Sequence, residues 1–282
     1  MGSGTLPCGQ VGQKLHVMRR IGKVWRREDD LVSNKSQSLW RRAEKVLAGG
    51  PATLSKHPAR FPQGLAPVFL DRGNGAYVWD VDGQRWIDTI AALGPILLGH
   101  DNGAVSDAAQ GQAYRLTSAS LSTRLEVEVA ERLVEIIPGA EQVRFASNGK
   151  DITEAAVKVA RYVTGKQHAI YIGYHGGFSD YLATTDKDGG ILGYLRLYNH
   201  QLPWRDLKAL DTTMDSTENN LACIMLEVPP EPWGLPKEET AAILEAYKAR
   251  AYDYHALFLL DEAVTGFRYG LAGAQGYYGV QA

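Results

Sequence analysis

An apolar run that ends at an acid indicates the class of fold: Ala256-Leu257-Phe258-Leu259-Leu260-Asp261, continued by Glu262-Ala263-Val264-Thr265-Gly266-Phe267-Arg268. A short apolar run bounded by polar residues is typical of a buried strand in a parallel sheet. Open α/β sheets bind their ligands at the carboxyl ends of the strands, so we expect the Asp261 carboxylate at such an edge. There it could hold a cationic ring nitrogen through a charge-assisted hydrogen bond, or it could only cap a turn.

On the N-terminal side of this run, helical periodicity alternates with short apolar runs from Ser38 onward, which predicts an α/β fold. Strands are predicted over 77–81, 143–146, 169–173, 222–228 and 256–261, and helices over 38–47, 123–137, 151–164 and 237–255. The segment 77–88 predicts a β-hairpin, because it contains the turn dipeptide Asp82-Gly83.

The predicted helix 151–164 carries an apolar stripe. Its members recur at intervals of three or four residues and are Ile152, Ala155, Ala156, Val159, Ala160 and Val163. Such a stripe predicts the helix face that lies on the sheet. Gly165 follows as the expected C-terminal cap.

Composition places the chain among ordinary globular proteins, since 45% of its 282 residues are apolar and 22% are charged. A formal charge of -2 and a pI near 6.4 argue against a nucleic-acid-binding surface. The longest apolar run, 90–99, is interrupted by Gly94 and Pro95, so no membrane span is predicted. Cys8 and Cys223 lack partners at metal-binding spacing. We therefore predict no disulfide and no metal site, and expect a reducing cytoplasm.

The first 34 residues form a basic segment, because their lysines and arginines precede the first acidic residue, Glu28. Apolar residues at roughly helical spacing are Val17, Met18, Ile21, Val24 and Trp25. They predict a plain extension or a docking helix, and a targeting presequence is the alternative. We expect a basic extension over 1–37, an N-terminal segment with the hairpin over 38–100, and a large α/β domain over 101–282.

A glycine turn joins the predicted strand 143–146 to the striped helix through Ser147-Asn148-Gly149-Lys150. Such a junction leaves backbone N–H groups unpaired at the positive end of the helix dipole, where phosphate binds readily. The dipole itself contributes about 0.3–1 kcal/mol, so geometry and several hydrogen bonds must supply the rest. Read alone, Asn148 or Ser147 could equally be a simple helix cap.

Tyr174 and His175 follow the predicted strand 169–173, and an aromatic ring at that edge could lie flat against a planar ligand. By itself such a pair also fits an ordinary loop. Together, however, the three strand ends offer a phosphate site, a flat aromatic ring and a carboxylate, and pyridoxal phosphate has the matching chemistry. A dinucleotide site is disfavoured because no Gly-x-Gly-x-x-Gly or Gly-x-x-x-x-Gly-Lys-Ser/Thr pattern occurs.

Several motifs, in this order, resemble those of the class III aminotransferases, and within them the glutamate-1-semialdehyde aminomutase branch. They are Tyr77-Val78-Trp79-Asp80-Val81-Asp82-Gly83, Ser147-Asn148-Gly149-Lys150-Asp151 with Lys158-Val159-Ala160-Arg161, Tyr174-His175-Gly176, and Leu260-Asp261-Glu262-Ala263-Val264-Thr265-Gly266-Phe267-Arg268. The resemblance extends from Ser38 to the C-terminus. It implies the α/β fold type I of pyridoxal-phosphate-dependent transferases, a mostly parallel sheet with flanking helices. It also implies a homodimer with active sites at the subunit interface.

The resemblance implies roles for single residues on the phosphate side of the ligand. The backbone of Asn148, Gly149 and Lys150 would hold the cofactor phosphate. Tyr174 would stack on the pyridine ring, with His175 close by.

On the opposite side, the resemblance implies that Ala263 covers the other face of the ring and that Asp261 keeps the ring nitrogen protonated. Arg60, in Pro58-Ala59-Arg60-Phe61, resembles the arginine that grips a substrate carboxylate. A surface arginine is the alternative for Arg60.

Some positions depart from the family pattern. Lys150 stands where the family usually has threonine, and the family's glycine-asparagine pair is missing around 227–232. No lysine follows Lys248, so the Schiff-base lysine is expected beyond Ala282, together with the C-terminal domain. No catalytic residue is therefore assigned within the 282 residues.

The implied function is movement of an amino group between an amino acid and a carbonyl compound, by an aminotransferase or an aminomutase. The alternative is a truncated, non-catalytic chain that keeps part of the fold, with or without non-covalent cofactor binding. The amino donor and acceptor stay open, and the expected partners are small-molecule substrates.

Overall fold

The computed structural model describes residues 18–21, 24–27, 34–62, 65–228 and 235–282. The chain divides into two compact units, Met1–Ser118 and Ala119–Ala282. Within the described ranges, the first unit carries two small antiparallel sheets and the second a four-stranded parallel sheet. No helix in these ranges has the length and apolar content that crossing a membrane requires.

The described part of the N-terminal unit combines short strands with two α-helices. Its elements are β1 (Met18–Ile21), β2 (Val24–Arg27), α1 (Asn34–Val46), β3 (Leu70–Asn74), β4 (Tyr77–Asp80), β5 (Arg85–Ile87) and α2 (Gly103–Arg115). Short 3-10 helices cover Leu54–Lys56, Pro58–Arg60 and Ala91–Leu93. The predicted helix 38–47 is confirmed as α1, which begins one turn earlier.

The helix predicted for the basic N-terminal segment is wrong where that segment is described. β1 and β2 pair there as antiparallel strands, with Ile21 opposite Val24. Gly22 stands between the two strands in the sequence, and glycine costs a helix about 1 kcal/mol relative to alanine. This break, together with the β-forming Val24 and Trp25, outweighs the helical spacing. Residues 1–17 lie outside the described part.

The predicted β-hairpin is confirmed, because β4 and β5 are antiparallel partners. Gly83 has a φ of +85° in the turn, a left-handed conformation that glycine adopts without strain. The buried Asp80 carboxylate holds the turn. It accepts hydrogen bonds from two backbone N–H groups of the turn and from Trp86 Nε1.

Helices and strands alternate through the C-terminal unit. Its elements are α3 (Arg124–Ile136), α4 (Gly149–Thr164), β6 (His168–Ile172), α5 (Ser179–Leu182), β7 (Asn199–Gln201), α6 (Leu207–Ser216), β8 (Leu221–Glu227), α7 (Lys237–Asp253), β9 (Leu257–Asp261) and α8 (Gly273–Tyr278), with a 3-10 helix over Gly193–Leu197. The strand order is β7-β6-β8-β9, and each neighbouring pair is parallel. The predictions of β6, β8, β9, α3, α4 and α7 are confirmed.

Helices cover both faces of the sheet, and successive residues of the central strands point to opposite faces. On one face, Tyr171 of β6 and Cys223 of β8 belong to a buried cluster with Val157 of α4. On the other, Ile170 of β6 is clustered with Leu210 of α6 and with residues of α7. Each fully buried aliphatic side chain contributes about 1.5–3 kcal/mol by leaving water. Both faces of the sheet are therefore core.

The strand predicted over 143–146 is wrong, since these residues form no ladder with any described strand. Phe145 in this run is 47% exposed, so the run lacks a covering layer as well as a partner. A strand forms only where a neighbour takes its backbone hydrogen bonds. An apolar run before a helix does not meet that condition by itself.

The buried face of α4 overlaps the predicted stripe only in part, because it shares Ala156 and Ala160 with the stripe but is rotated away from its other members. Its buried residues are Thr153, Val157 and Ala160. Val159 and Val163 of the predicted stripe are 58% and 63% exposed. The buried face is shifted because Thr153 points inward, where its hydroxyl donates to the His175 carbonyl oxygen at 2.8 Å.

Two imidazole rings join β6 to the edge strand β7. His168 Nδ1 and His200 Nε2 lie 2.9 Å apart, and the ring planes differ by 8°. When both rings are neutral, one of these two nitrogens carries a proton and donates it, and the other accepts it. Burial lowers the pKa of both rings, which favours this uncharged pair.

The direction of the chain across the sheet reverses between β6 and β8. The chain passes from β6 to β7 on one side, and later from β8 to β9 on the other. Open α/β sheets bind ligands at such a point, outside the carboxyl ends of the strands. The candidate site therefore lies where Ile172, Glu227 and Asp261 end β6, β8 and β9.

Candidate active site

The turn after β6 carries two of the predicted site residues, Tyr174 and His175. Gly173 and Gly176 flank them with φ values of +103° and +90°, in the left-handed region that favours glycine. A Cβ on Gly176 would also lie 3.0 Å from the Lys150 Cβ. The turn after β6 therefore packs directly against the first turn of α4.

His175 is 2% exposed, and both of its ring nitrogens have partners. Nδ1 lies 2.9 Å from Asp261 Oδ2, and Nε2 lies 3.1 Å from the Ile172 carbonyl oxygen. A carbonyl oxygen only accepts, so Nε2 is the donor in that second contact. Asp261 Oδ1 accepts the Ala263 N–H at 2.9 Å. The Asp261 carboxylate is therefore held in one orientation by two partners.

The N-terminus of α4 has the features that the sequence predicts for an anion site. The Asn148 side chain caps the helix by accepting the Asp151 N–H at 3.0 Å. The N–H groups of Gly149 and Lys150 have no hydrogen-bond acceptor among the described residues. Asn148 is thus a cap, and the two N–H groups beside it are available to a bound anion.

Three chain segments meet at this end of α4. A Cβ on Gly149 would lie 4.0 Å from the Ala263 Cβ, which brings the segment after β9 to the helix. The Thr153 hydroxyl reaches the His175 carbonyl oxygen, which ties the turn after β6 to the same helix. The structure therefore brings the predicted phosphate-binding residues together with His175, Asp261 and Ala263.

The Lys150 ammonium faces acids of its own helix. Its Nζ lies 3.7 Å from Glu154 Oε2 and 3.9 Å from Asp151 Oδ1. Glu154 is shared with Lys158, whose hydrogen bond is the largest cause lowering the pKa of the Glu154 carboxyl. Exposed ion pairs of this kind contribute about 0–1 kcal/mol, so Lys150 can exchange them for another anion at little cost.

The two remaining predicted residues, Tyr174 and Arg60, are both exposed. Tyr174 is 63% exposed, and its ring meets the Tyr181 ring edge-on, with centroids 5.9 Å apart. Its exposed area can therefore contact a ligand. Arg60 is exposed at the end of the 3-10 helix Pro58–Arg60, in the N-terminal unit. Its role in gripping a carboxylate stays a prediction.

Sequence reasoning missed Glu227 and Thr153 as residues of this region. Glu227 Oε2 accepts the Tyr174 N–H at 2.9 Å. A signal for Glu227 was present, because it ends the apolar run of β8 as Asp261 ends that of β9, and the two are partners in the ladder. Thr153 had no such signal, since a threonine inside a helix usually bonds its own backbone.

The fold and the site define an α/β protein with a polar site at the carboxyl edge of a parallel sheet, beside an anion-binding helix. The family model of aminotransferase class III matches residues 61–282, and the chain belongs to this family. Two similar curated proteins are glutamate-1-semialdehyde 2,1-aminomutases from Desulfotalea psychrophila and Chloroflexus aurantiacus, each 33% identical over 89% and 88% of this chain. The chain spans 60% and 58% of their lengths.

Solved structures agree with this family assignment. An omega-transaminase from Sphaerobacter thermophilus has a TM-score of 0.77 at 25% identity, covering 87% of this chain and 58% of that one. A transaminase with PLP bound has a TM-score of 0.77 at 26% identity, covering 89% and 60%. A glutamate-1-semialdehyde aminomutase from Pseudomonas aeruginosa shares the fold, with a TM-score of 0.73 at 20% identity and coverage of 90% and 56%. The predicted fold class and family resemblance are confirmed.

Proposed function

We propose that this chain is part of a pyridoxal-phosphate-dependent aminotransferase or aminomutase, which moves an amino group between an amino acid and a carbonyl compound. The observation that carries the proposal is the buried His175–Asp261 contact beside the N–H groups of Gly149 and Lys150. An oriented carboxylate suits a protonated ring nitrogen, and the helix N-terminus suits a phosphate. The names of the aminomutase relatives and of the PLP-bound transaminase support the same chemistry.

The described residues fit the cofactor at both of its ends. Asp261 Oδ2 already contacts His175, but a carboxylate oxygen has two acceptor sites and can take a ring N–H as well. The backbone at Asn148, Gly149 and Lys150 would hold the phosphate. When bound, the cofactor supplies an electron sink for the substrate Cα, and the Asp261 charge favours the proton on the ring nitrogen that this requires.

The two faces of the ring would have different neighbours. Tyr174 offers an exposed aromatic ring, which would stack on one face. Ala263 lies beside Gly149 and presents only a methyl group, so it would cover the other face without blocking it. His175 would act indirectly, because it would hold the Asp261 carboxylate in place.

We further propose three points that the family resemblance implies for the whole protein: a homodimer, small-molecule amino and carbonyl substrates, and a substrate carboxylate held by Arg60. A cytoplasmic location is proposed from the cysteine content instead. The division into an extension over 1–37, a segment over 38–100 and a cofactor-binding domain over 101–282 belongs to the same proposal.

Titration of the 282-residue chain with pyridoxal phosphate tests the cofactor site. Binding is followed by equilibrium dialysis and by the absorbance of the ligand, and pyridoxal, which lacks the phosphate, is the matched control. We expect pyridoxal phosphate to bind at least about tenfold more tightly, because charge-assisted hydrogen bonds contribute about 1.5–3 kcal/mol. Equal binding of the two compounds would remove the phosphate site from α4.

Amino transfer is tested on the protein expressed from its whole gene. That protein should be yellow with cofactor, and borohydride should fix the colour to a lysine. A colourless protein that binds no cofactor would contradict the proposed function.

A further inference from the structure

One peptide group in the turn after β6 is held from both sides, and it joins Gly173 to Tyr174. The Tyr181 hydroxyl donates to the Gly173 carbonyl oxygen at 3.0 Å, and Glu227 Oε2 accepts the Tyr174 N–H at 2.9 Å. Because the peptide group is planar, two bonds on its opposite edges fix its rotation. Tyr181 belongs to α5 and Glu227 to β8, so two separate elements set this orientation.

Glu227 also fills the space next to Gly173. A Cβ on Gly173 would lie 2.6 Å from the Glu227 Cβ and 2.8 Å from Oε2, distances that a real side chain cannot adopt. The glycine therefore permits the close approach of the carboxylate to the backbone of the turn.

The Tyr174 side chain is not held by burial. The residue is 63% exposed, and the described aromatic contact of its ring is the edge-on one with Tyr181. A ring with so little packing takes its direction from its backbone and from that neighbour. Burial raises the pKa of Tyr181, so its hydroxyl keeps the proton that it donates to Gly173.

We infer that Glu227 and Tyr181 are positioning residues that direct the Tyr174 ring toward the planar ligand of this site. The inference rests on the proposed function, in which Tyr174 stacks on the cofactor ring. Glu227 and Asp261 are partners on adjacent strands, and both contact the same turn, Glu227 through the Tyr174 N–H and Asp261 through the His175 ring. Asp261 thus contacts the ring nitrogen of the ligand, and Glu227 fixes the backbone of Tyr174, whose side chain stacks on the ligand ring.

Hydrogen exchange in the cofactor-free chain tests whether Glu227 holds the backbone of Tyr174. In Glu227→Ala the Tyr174 amide loses its acceptor, so we expect it to exchange at least about tenfold faster than in the wild type. Glu227→Gln keeps a side-chain carbonyl acceptor and should restore slow exchange. The Ile170 amide, inside β6, reports whether the sheet is intact. Unchanged exchange at Tyr174 in a folded Glu227→Ala protein would overturn the inference.

Cofactor affinity tests whether Glu227 and Tyr181 affect ligand binding through the Tyr174 ring. Glu227→Ala and Tyr181→Phe should each weaken pyridoxal phosphate binding about three- to tenfold, the range expected for one aromatic contact. Tyr174→Ala should have a similar effect, and the double variant Glu227→Ala/Tyr174→Ala should bind no more weakly than Tyr174→Ala alone. If the two losses add, Glu227 does not act through Tyr174 and the inference is wrong.

Asp261→Ala separates this inference from the proposed function. If Asp261→Ala weakens pyridoxal phosphate binding and Glu227→Ala does not, the proposed function is supported and the positioning role of Glu227 is wrong. If the wild-type chain shows no preference for pyridoxal phosphate over pyridoxal and Asp261→Ala has no effect, both fall.

Discussion

The turn after β6, 173–176, and the run before α4, 140–146, both lead to the candidate site, but their backbones are held very differently. In the turn, side chains from α4, α5 and β8 bond the backbone, and Asp261 of β9 bonds the His175 ring. The run before α4 forms no ladder, and its Phe145 is half exposed. The difference shows that partners from neighbouring elements, and not a local apolar pattern, order a connection at a sheet edge.

The largest expected effect compares one phenylalanine from each region. Phe178, just after the turn, is 2% exposed and packs on Tyr171 with ring centroids 5.9 Å apart. We expect Phe178→Ala to lower the free energy of unfolding by about 3–5 kcal/mol. Phe145→Ala should cost less than about 1 kcal/mol, because half of its side chain is already in water. Urea unfolding followed by circular dichroism gives both values, and equal losses would contradict the contrast.

The next effect concerns cofactor affinity rather than stability. Asp261→Ala removes the carboxylate and leaves the buried His175 Nδ1 without its partner. We expect the affinity for pyridoxal phosphate to fall about 10- to 100-fold, the equivalent of one charge-assisted hydrogen bond. Asp253→Ala, on the exposed end of α7, is the matched control and should bind normally. A normal affinity in Asp261→Ala would remove Asp261 from the site.

A smaller loss is expected where α4 meets the turn. Thr153→Ala leaves the His175 carbonyl oxygen without its buried donor, which should cost about 1–3 kcal/mol of unfolding free energy. Thr212, on α6, is exposed and donates only to its own helix, so Thr212→Ala should cost less than about 0.5 kcal/mol. Denaturant titration measures both variants. If Thr153→Ala is as mild as the control, the turn does not depend on α4.

The smallest effect is a pH dependence at the opposite end of β6. Burial lowers the pKa of His168 and His200 in the folded chain below the value of about 6.5 expected when unfolded. Below that pH the unfolded chain binds more protons, so the free energy of unfolding should fall between about pH 7 and pH 5. His200→Asn should flatten this slope, and the exposed His255→Asn should not. The same slope in His200→Asn and in the wild type would exclude the pair as its source.

The central strands could be read from the sequence because they are buried on both faces and appear as apolar runs, as in β8. β7 could not, since Asn199-His200-Gln201 is short and polar and becomes a strand only by pairing with β6. The face of α4 was misread because a hydrogen bond to a residue 22 positions away turns Thr153 inward.

The residues of the candidate site also divide into those that could be predicted from the sequence and those that could not. His175 and Asp261 could be placed at one edge because parallel strands end together. Glu227 is also at a strand end, but its departure from the family motif left it without a role. Its contact with Tyr174 depends on the register between β6 and β8, which no local pattern contains.

Cys223 lies at the centre of β8 with no exposed surface, and burial raises the pKa of its thiol to about 12. Alkylating reagents attack the thiolate, so iodoacetamide should leave this residue unmodified while the sheet is closed. The rate of carbamidomethylation at Cys223 therefore measures how often the centre of the sheet opens. Cys223 is thus a native reporter of sheet unfolding, and no cysteine has to be introduced for the measurement.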